Sequence, residues 1–253
     1  LQFVNSLKQK KYREEHQLFI AEGVKIVSEL LKSDIIVQQL FATKTFLDKV
    51  TIDKNVDCVE VKYNELERLS AQTTPNEALA VCRIPKYRFD RKELKSKLTL
   101  ILDGIKDPGN MGTVIRIADW FGIETIICSN DSADVFNPKV VQATMGSIAR
   151  IKLYYMDIVE LLEEVRKETV LNVLFPVYGA LLEGESIYDS QLTNNGFIII
   201  GNESKGISEP VKPFINHKIH IPSFSHYKSG KGEAESLNAA IATAIICSEF
   251  RRR

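Results

Sequence analysis

Arg116 stands on a stretch otherwise reading Val114, Ile115, Ile117, Ala118, Trp120 and Phe121, with no carboxylate four residues before or after it. On an apolar helix such an arginine either snorkels to the rim or faces a cleft, and the residue pattern leaves both open. A guanidinium keeps its charge in proteins, which makes it a poor base. Its fixed fork of donors suits a phosphate and a neighbouring oxygen gripped together. Two glycines bound the second stretch of interest, Gly201-Asn202-Glu203-Ser204-Lys205-Gly206, which follows the apolar run Phe197-Ile198-Ile199-Ile200. They suit a backbone that approaches a ligand closely, and equally a plain strand-to-helix turn; the spacing is not that of a phosphate-binding glycine loop. The third stretch, Ser236-Leu237-Asn238, opens a run of small apolar residues with Ser236 as its expected cap.

These groups need a scaffold. Short β-branched runs at 98–102, 124–128, 172–177, 197–200 and 218–221 alternate with helical patterns at 111–121, 138–147, 157–167 and 236–250. Near-continuous apolar strands between helices predict an α/β fold with a parallel sheet covered on both faces. Asn110 is the expected cap of the helix that carries Arg116. Residues 85–97 are charged and bounded by a proline, a linker pattern, and 1–84 read as a smaller α/β unit with a helix at 24–31 and strands at 37–42, 57–61 and 78–84. That unit opens on Lys8-Gln9-Lys10-Lys11-Tyr12-Arg13, in which Lys10, Lys11 and Arg13 are candidate phosphate contacts, the alternative being a solvated helix face.

The bulk numbers exclude some classes. Lys+Arg and Asp+Glu balance at 33 each, so a protein that coats RNA by net charge is disfavoured. Cys58, Cys82, Cys128 and Cys247 lack Cys-x-x-Cys or His partners at ligand spacing, which predicts reduced core thiols in a cytoplasmic protein and no metal. No run approaches the roughly 18 apolar residues of a membrane span, and the amino end has no signal-peptide pattern.

Taken in order, Leu102 to Arg116, Ile198 to Ile207 and Ile221-Pro222 with Glu235 to Ala242 resemble the three motifs of the SpoU/TrmH-type RNA 2′-O-ribose methyltransferases of the SPOUT superfamily. Gln142 to Arg150 resembles a further segment of that family, and residues 12–84, with Phe19 to Gly23 and Thr74 to Val81, look like its SpoU substrate-binding domain. The resemblance implies a carboxy-terminal parallel-sheet domain at 98–253 with a deep trefoil knot, and a small amino-terminal α/β RNA-binding domain at 1–84. It implies S-adenosylmethionine as cofactor and a homodimer acting on RNA, ribosomal in preference to transfer RNA. Asn110, Arg116, Glu203, Ser236 and Asn238 fall on the family's catalytic positions, and Gly201, Asn202, Glu203, Gly206, Ile221, Ser236 and Leu237 on its cofactor positions; Arg116 would also meet RNA. One departure is the long link 223–234, where Tyr227, Lys228 and Lys231 are candidate RNA contacts, His226 is a weak candidate base, and a solvated loop is the preferred reading. The rivals are a catalytically silent RNA-binding or assembly factor on the same fold, and a doubly wound nucleotide enzyme without the dinucleotide fingerprint.

Overall fold

A computed structural model describes residues 2–72, 74, 76–168, 174–224 and 236–252. In chain order the elements are α1 (Gln2–Ser6), α2 (Lys10–His16), β1 (Leu18–Glu22), α3 (Val24–Leu30), β2 (Val37–Ala42), α4 (Lys44–Leu47), β3 (Asp57–Glu60), α5 (Tyr63–Leu69), β4 (Ala78–Arg83) and α6 (Arg91–Ser96). They continue as β5 (Leu98–Asp103), α7 (Pro108–Trp120), β6 (Thr125–Ser129), α8 (Pro138–Thr144), β7 (Lys152–Met156), α9 (Ile158–Lys167), β8 (Val177–Ser186), β9 (Gly196–Gly201), β10 (His217–His220) and α10 (Ala239–Arg252). Among the described residues no helix is long and apolar enough to cross a membrane.

Contacts divide the chain into two compact units, one of Leu1–Tyr87, Met111–Arg116 and Asp134–Arg150, the other of Arg88–Asn110, Ile117–Ala133 and Ile151–Arg253. The first holds a four-stranded sheet in the order β1-β4-β2-β3, with β4 antiparallel to both neighbours and β2 parallel to β3. Val4, Leu7, Leu18, Ile20, Phe41, Leu66 and Leu69 form a core on it. Every residue of β1 is buried, because α8 packs against the same strand. Gly112 of α7 lets α8 come close: a Cβ there would lie 2.4 Å from the Ala143 Cβ and 2.7 Å from the Val140 carbonyl.

The second unit holds a six-stranded sheet, order β10-β8-β9-β5-β6-β7, in which every pairing is parallel. Its central strands β5 and β9 are mostly apolar along their paired length, with Leu100, Ile101, Leu102, Ile198 and Ile199 fully buried. A parallel sheet of this kind needs both faces covered, and the continuous apolar runs are the sequence form of that need.

Several elements differ from expectation. β1 and β7 were not expected as strands: β1 is four apolar residues ending in Glu22, too short a run to tell from buried helix, and β7 is a half-buried edge whose residues Lys152-Leu153-Tyr154-Tyr155-Met156 give no continuous apolar signal. β8 begins at Val177, where the expected strand ended, and continues through Gly179 and Gly184, whose neighbours read as loop. Gly184 has a packing reason, since a Cβ there would lie 2.7 Å from the Lys218 carbonyl carbon, where the β8–β10 register shifts. α8 stops at Thr144 because Met145 and Gly146 turn left-handed, φ 52° and 98°. The stretch expected as linker is half ordered helix: Asp90 caps α6, Leu94 is buried, and Arg91 and Lys95 pair with Glu164 of α9 and with Glu168 just beyond it.

Candidate active site

In an open parallel sheet, ligands bind beyond the carboxyl ends of the strands, where the loops diverge. Here β5 and β9 are neighbours in register, with Asp103 opposite Gly201. The loop into α7 and the loop Asn202–Gly206 therefore leave the sheet side by side.

The first loop ends in a cap, but Asn110 is not it. Asp107 occupies that place, its Oδ1 accepting the Asn110 backbone N–H at 2.7 Å, and Pro108 opens the helix with a φ already suited to it. The correction has a chemical consequence, because the Asn110 side chain is released from capping. Its Nδ2 donates to Glu203 Oε1 at 3.0 Å, and its Oδ1 accepts from Asn238 Nδ2 at 2.8 Å.

Asn238 is likewise the cap of α10 in place of Ser236: its Oδ1 accepts from the backbone N–H of Ala240 at 2.9 Å and Ile241 at 3.2 Å. That fixes which end of each amide points where. Asn238 must offer its nitrogen to Asn110, which must then offer its own to a carboxylate. The result is a polarised chain of side chains from a helix amino terminus to Glu203, and residues 238, 110 and 203 are brought together as one group.

Glu203 also accepts from the backbone N–H of Asp107 at 3.3 Å and of Lys106 at 3.4 Å. Partial burial pushes its carboxyl up, but the Asn110 amide and the backbone N–H groups of Glu203, Asp107 and Lys106 outweigh it, and the net shift is below the usual glutamate value. The side chain is ionised at neutral pH. Asn202 works inside its own loop, its Oδ1 taking the N–H groups of Ser204 and Lys205 at 3.0 Å each and its Nδ2 donating to the Gly104 carbonyl at 2.6 Å. Backbone bonds of 2.9 Å in both directions between Asn202 and Gly206 close the loop.

The glycines have separate reasons. At Gly201 a Cβ would fall 2.2 Å from the Gly206 carbonyl carbon and the Ile207 nitrogen, so the loop cannot close with any other residue there. At Gly206, with φ +69°, a Cβ would meet nothing within 4 Å and would occupy open space beside the loop backbone. With half-buried Ile221 and exposed Leu237 as apolar surfaces, the residues fit a nucleoside cofactor held largely by backbone.

Arg116 lies six residues beyond Asn110 on α7, on a stripe of exposed positions with Gly109, Thr113 and Trp120. Among the described residues it has no hydrogen-bond or ion-pair partner. Ser236 and Leu237 are exposed just before the Asn238 cap. Lys10 and Lys11 are exposed, whereas Arg13 is 2% exposed and its guanidinium is held by Leu7, Lys8 and Asp134. Arg13 is therefore not a free phosphate contact. His226, Tyr227, Lys228, Lys231 and Glu235 lie outside the described residues.

Residue reasoning missed two groups. Asp107, directly before Pro108-Gly109, carried a cap signal that the next Asn obscured. Asp103, buried at the end of β5, accepts the Ser208 N–H at 2.7 Å and anchors the far side of the glycine loop; a carboxylate closing an apolar strand was its only mark. Among the described residues no cluster of three His, Cys, Asp or Glu side chains is placed to hold a metal.

The pattern described as the SpoU rRNA methylase family matches residues 97–248. The chain belongs to that family. Residues 1–80 match the MRM3-like substrate-binding domain. A TrmH-family protein of Porphyromonas gingivalis superposes with a TM-score of 0.86 at 40% identity, covering 99% of this chain and 96% of that one. An AdoMet-bound rRNA methyltransferase of Sinorhizobium meliloti gives 0.82 at 26% identity over 99% and 93%. The Bacillus subtilis 23S rRNA (guanosine(2553)-2′-O)-methyltransferase RlmP is 28% identical over 96% of this chain and 92% of its own. This SpoU methylase is an RNA ribose methyltransferase with S-adenosylmethionine as its cofactor.

Proposed function

We propose that this chain methylates the ribose 2′-oxygen of one nucleotide in large-subunit ribosomal RNA, in the cytoplasm, as a homodimer with the deep trefoil knot of SPOUT folds. The observation that carries the reading is the free guanidinium of Arg116 on the helix whose first turn joins the Asn238–Asn110–Glu203 group. Bound S-adenosylmethionine supplies an electrophilic methyl group on a sulfonium centre. The backbone of Gly201 to Gly206, with Ile221 and Leu237, would hold it.

The chain's own work is on the RNA oxygen. A ribose hydroxyl is a very weak acid, and its oxygen gains negative character as it takes the methyl group and its proton passes to solvent water. Arg116 donates to the adjacent phosphate and to that oxygen, orienting the one and stabilising the charge on the other. Glu203 keeps its proton off and acts as an anchor: it fixes Asn110, and through it Asn238, so that both loops hold one geometry. Ser236, exposed beside this group, has a hydroxyl available to substrate or cofactor.

Ribosomal RNA is preferred because the similar B. subtilis protein, matched over nearly its whole length, is named for 23S rRNA, and because the amino-terminal residues match a substrate-binding domain. Lys10 and Lys11 are the surface cations assigned to RNA there. For the dimer, the support is a set of exposed apolar side chains: Leu237, just before α10, and Ile241, within it, are 49% and 55% exposed, and Trp120 is 84% exposed on α7. Light scattering at micromolar concentration is expected to give twice 28.6 kDa, and an active monomer would overturn this part.

The deciding experiment maps ribose methylation in all RNA from cells with and without the gene. One methyl group should vanish from the large-subunit RNA and return when purified protein and S-adenosylmethionine are added. Loss confined to transfer RNA would replace the substrate. No loss anywhere, with RNA binding intact, would favour the silent assembly factor.

A further inference from the structure

The first unit contains a cavity of about 340 Å³ that none of Asn110, Glu203 and Asn238 lines; its walls are Ile20 and Glu22 of β1, Ala71, Gln72, and Pro138, Lys139 and Gln142 of α8. All of these belong to the one compact unit. The volume lies at the lower end of the roughly 300–1,000 Å³ of small-ligand sites. Glu22 is 6% exposed. Its carboxylate is held by Ser70 Oγ at 2.6 Å and the Ala71 N–H at 2.7 Å, one donor to each oxygen. A carboxylate has about four acceptor positions, so each oxygen retains one, and the group is rigid and presented to the cavity.

The amides of the wall are oriented by their own bonds. Asn76 Nδ2 donates to Gln72 Oε1 at 2.9 Å, and Gln72 Nε2 donates to Gln142 Oε1 at 2.8 Å. The chain ends at Gln142 Nε2, which has no acceptor among the described residues. The cavity thus offers acceptors from Glu22, donors from Gln142 and the Lys139 ammonium, and apolar surface from Ile20 and Pro138.

We propose that this cavity binds an unpaired nucleobase of the RNA substrate and selects guanine. The proposal rests on the reading that RNA is the substrate. Proteins read single-stranded RNA by splaying bases out and hydrogen-bonding their Watson–Crick edges. Guanine alone presents two adjacent donors on that edge, N1–H and the 2-amino group, beside one acceptor, O6. A fixed carboxylate takes the two donors, and the Gln142 amide and Lys139 serve the acceptor. Adenine and cytosine each set a ring-nitrogen acceptor beside their amino group, which the carboxylate repels, and uracil has a single N–H between two carbonyls. The base read here need not be the one methylated, since it is held on a different unit from the glycine loop.

The test uses the full chain and fluorescence anisotropy with six-nucleotide oligouridines carrying one central G, A, C or inosine. The G oligonucleotide is expected to bind about tenfold or more tighter than the A oligonucleotide, the scale of one well-formed bidentate base contact. Inosine, which lacks only the 2-amino group, should fall between them. Glu22→Gln should bring G and A within about twofold while calorimetric S-adenosylmethionine binding stays parental. Equal affinity for all four oligonucleotides, a preference for C, or a G preference untouched by Glu22→Gln would overturn the proposal; should that variant not fold, the guanine–inosine–adenine comparison on the parent decides alone. Failure of the methyltransferase reading is seen separately, as an unchanged methylation map despite a G preference.

Discussion

Two arginines of the first unit are used in opposite ways. Arg13, on α2, sits 2% exposed with Nη1 donating to the Leu7 carbonyl at 2.9 Å and the Lys8 carbonyl at 2.8 Å, and Nη2 held 2.5 Å from Asp134. Arg116, on α7, is exposed and has no partner among the described residues. The first guanidinium gives three bonds to the protein from its two Nη atoms, while its Nε is buried without a partner among the described residues. The second makes no such bond among the described residues. Burying an ion takes it out of water at a cost of several kcal/mol, recovered only by well-placed partners, and the contrast shows what that requirement does to function. A satisfied arginine holds the fold, and an unsatisfied one at the surface is available for chemistry.

The largest effect is expected where the donors are free. Arg116→Ala should lower single-turnover methyl transfer by about 10²–10³, the usual cost of one transition-state donor. Stability and cofactor affinity should stay parental. Arg116→Lys sharpens the point, because it keeps the charge without the planar fork and should recover little. A lysine variant with near-parental turnover would mean that a point charge suffices, and an alanine variant with near-parental turnover on the true RNA would end the contrast with Arg13.

Arg13→Ala should do the reverse. Removing one member of a buried pair costs about 3–5 kcal/mol. The lower figure is expected because Asp134 retains 17% exposure. Urea unfolding measures it. The salt dependence of RNA binding should not change, whereas Lys10→Ala or Lys11→Ala should each reduce the slope by about one. If Arg13→Ala flattens that slope and leaves stability alone, the pair has been misjudged.

Sequence could not separate these two residues, and the reason is physical. Lys10, Lys11 and Arg13 lie in one basic run, and which of them turns inward depends on Asp134, 121 residues away. Strands β2 and β4 and helices α7 and α9 were legible because their apolar periodicity is local, and the sheet class followed from them. The two caps were each misplaced by a few residues. Asp107 and Asn238 win over Asn110 and Ser236 because the side-chain chain to Glu203 needs the Asn110 amide free, a constraint set by a loop 93 residues on. Motif resemblance named Asn110, Glu203 and Asn238 together, and the bonds between their side chains show how they are joined.

A smaller effect should follow from the cap. Asp107→Ala removes the acceptor of the Asn110 N–H and should lower stability by about 1 kcal/mol, the usual worth of such a cap. Some loss of turnover should accompany it, since the same turn presents Asn110 to Glu203. A stability loss with unchanged turnover would show that the helix start tolerates fraying, and would set the Asn110 group apart from the rigid Arg13 pair.

The smallest expected effect is an absence of response, and it concerns Glu203, whose oxygens are occupied as fully as the Arg13 donors. Its hydrogen bonds from Asn110 and the Asp107 and Lys106 backbone hold the folded pKa below the unfolded one. By linkage, the stability it contributes is complete above the ordinary glutamate pKa of about 4.3 and is lost only as pH falls through the lower folded value. Between about pH 6 and 9, then, Glu203 should add no limb to the pH dependence of single-turnover methylation. Glu203→Gln should lower the rate by a factor that is the same across that range, because the amide's added N–H groups oppose the Asn110 and backbone donors whatever the pH. An acidic limb in the parent that disappears in Glu203→Gln would reveal a proton acceptor in turnover, and would place Glu203 beside Arg116 among the groups that act on substrate.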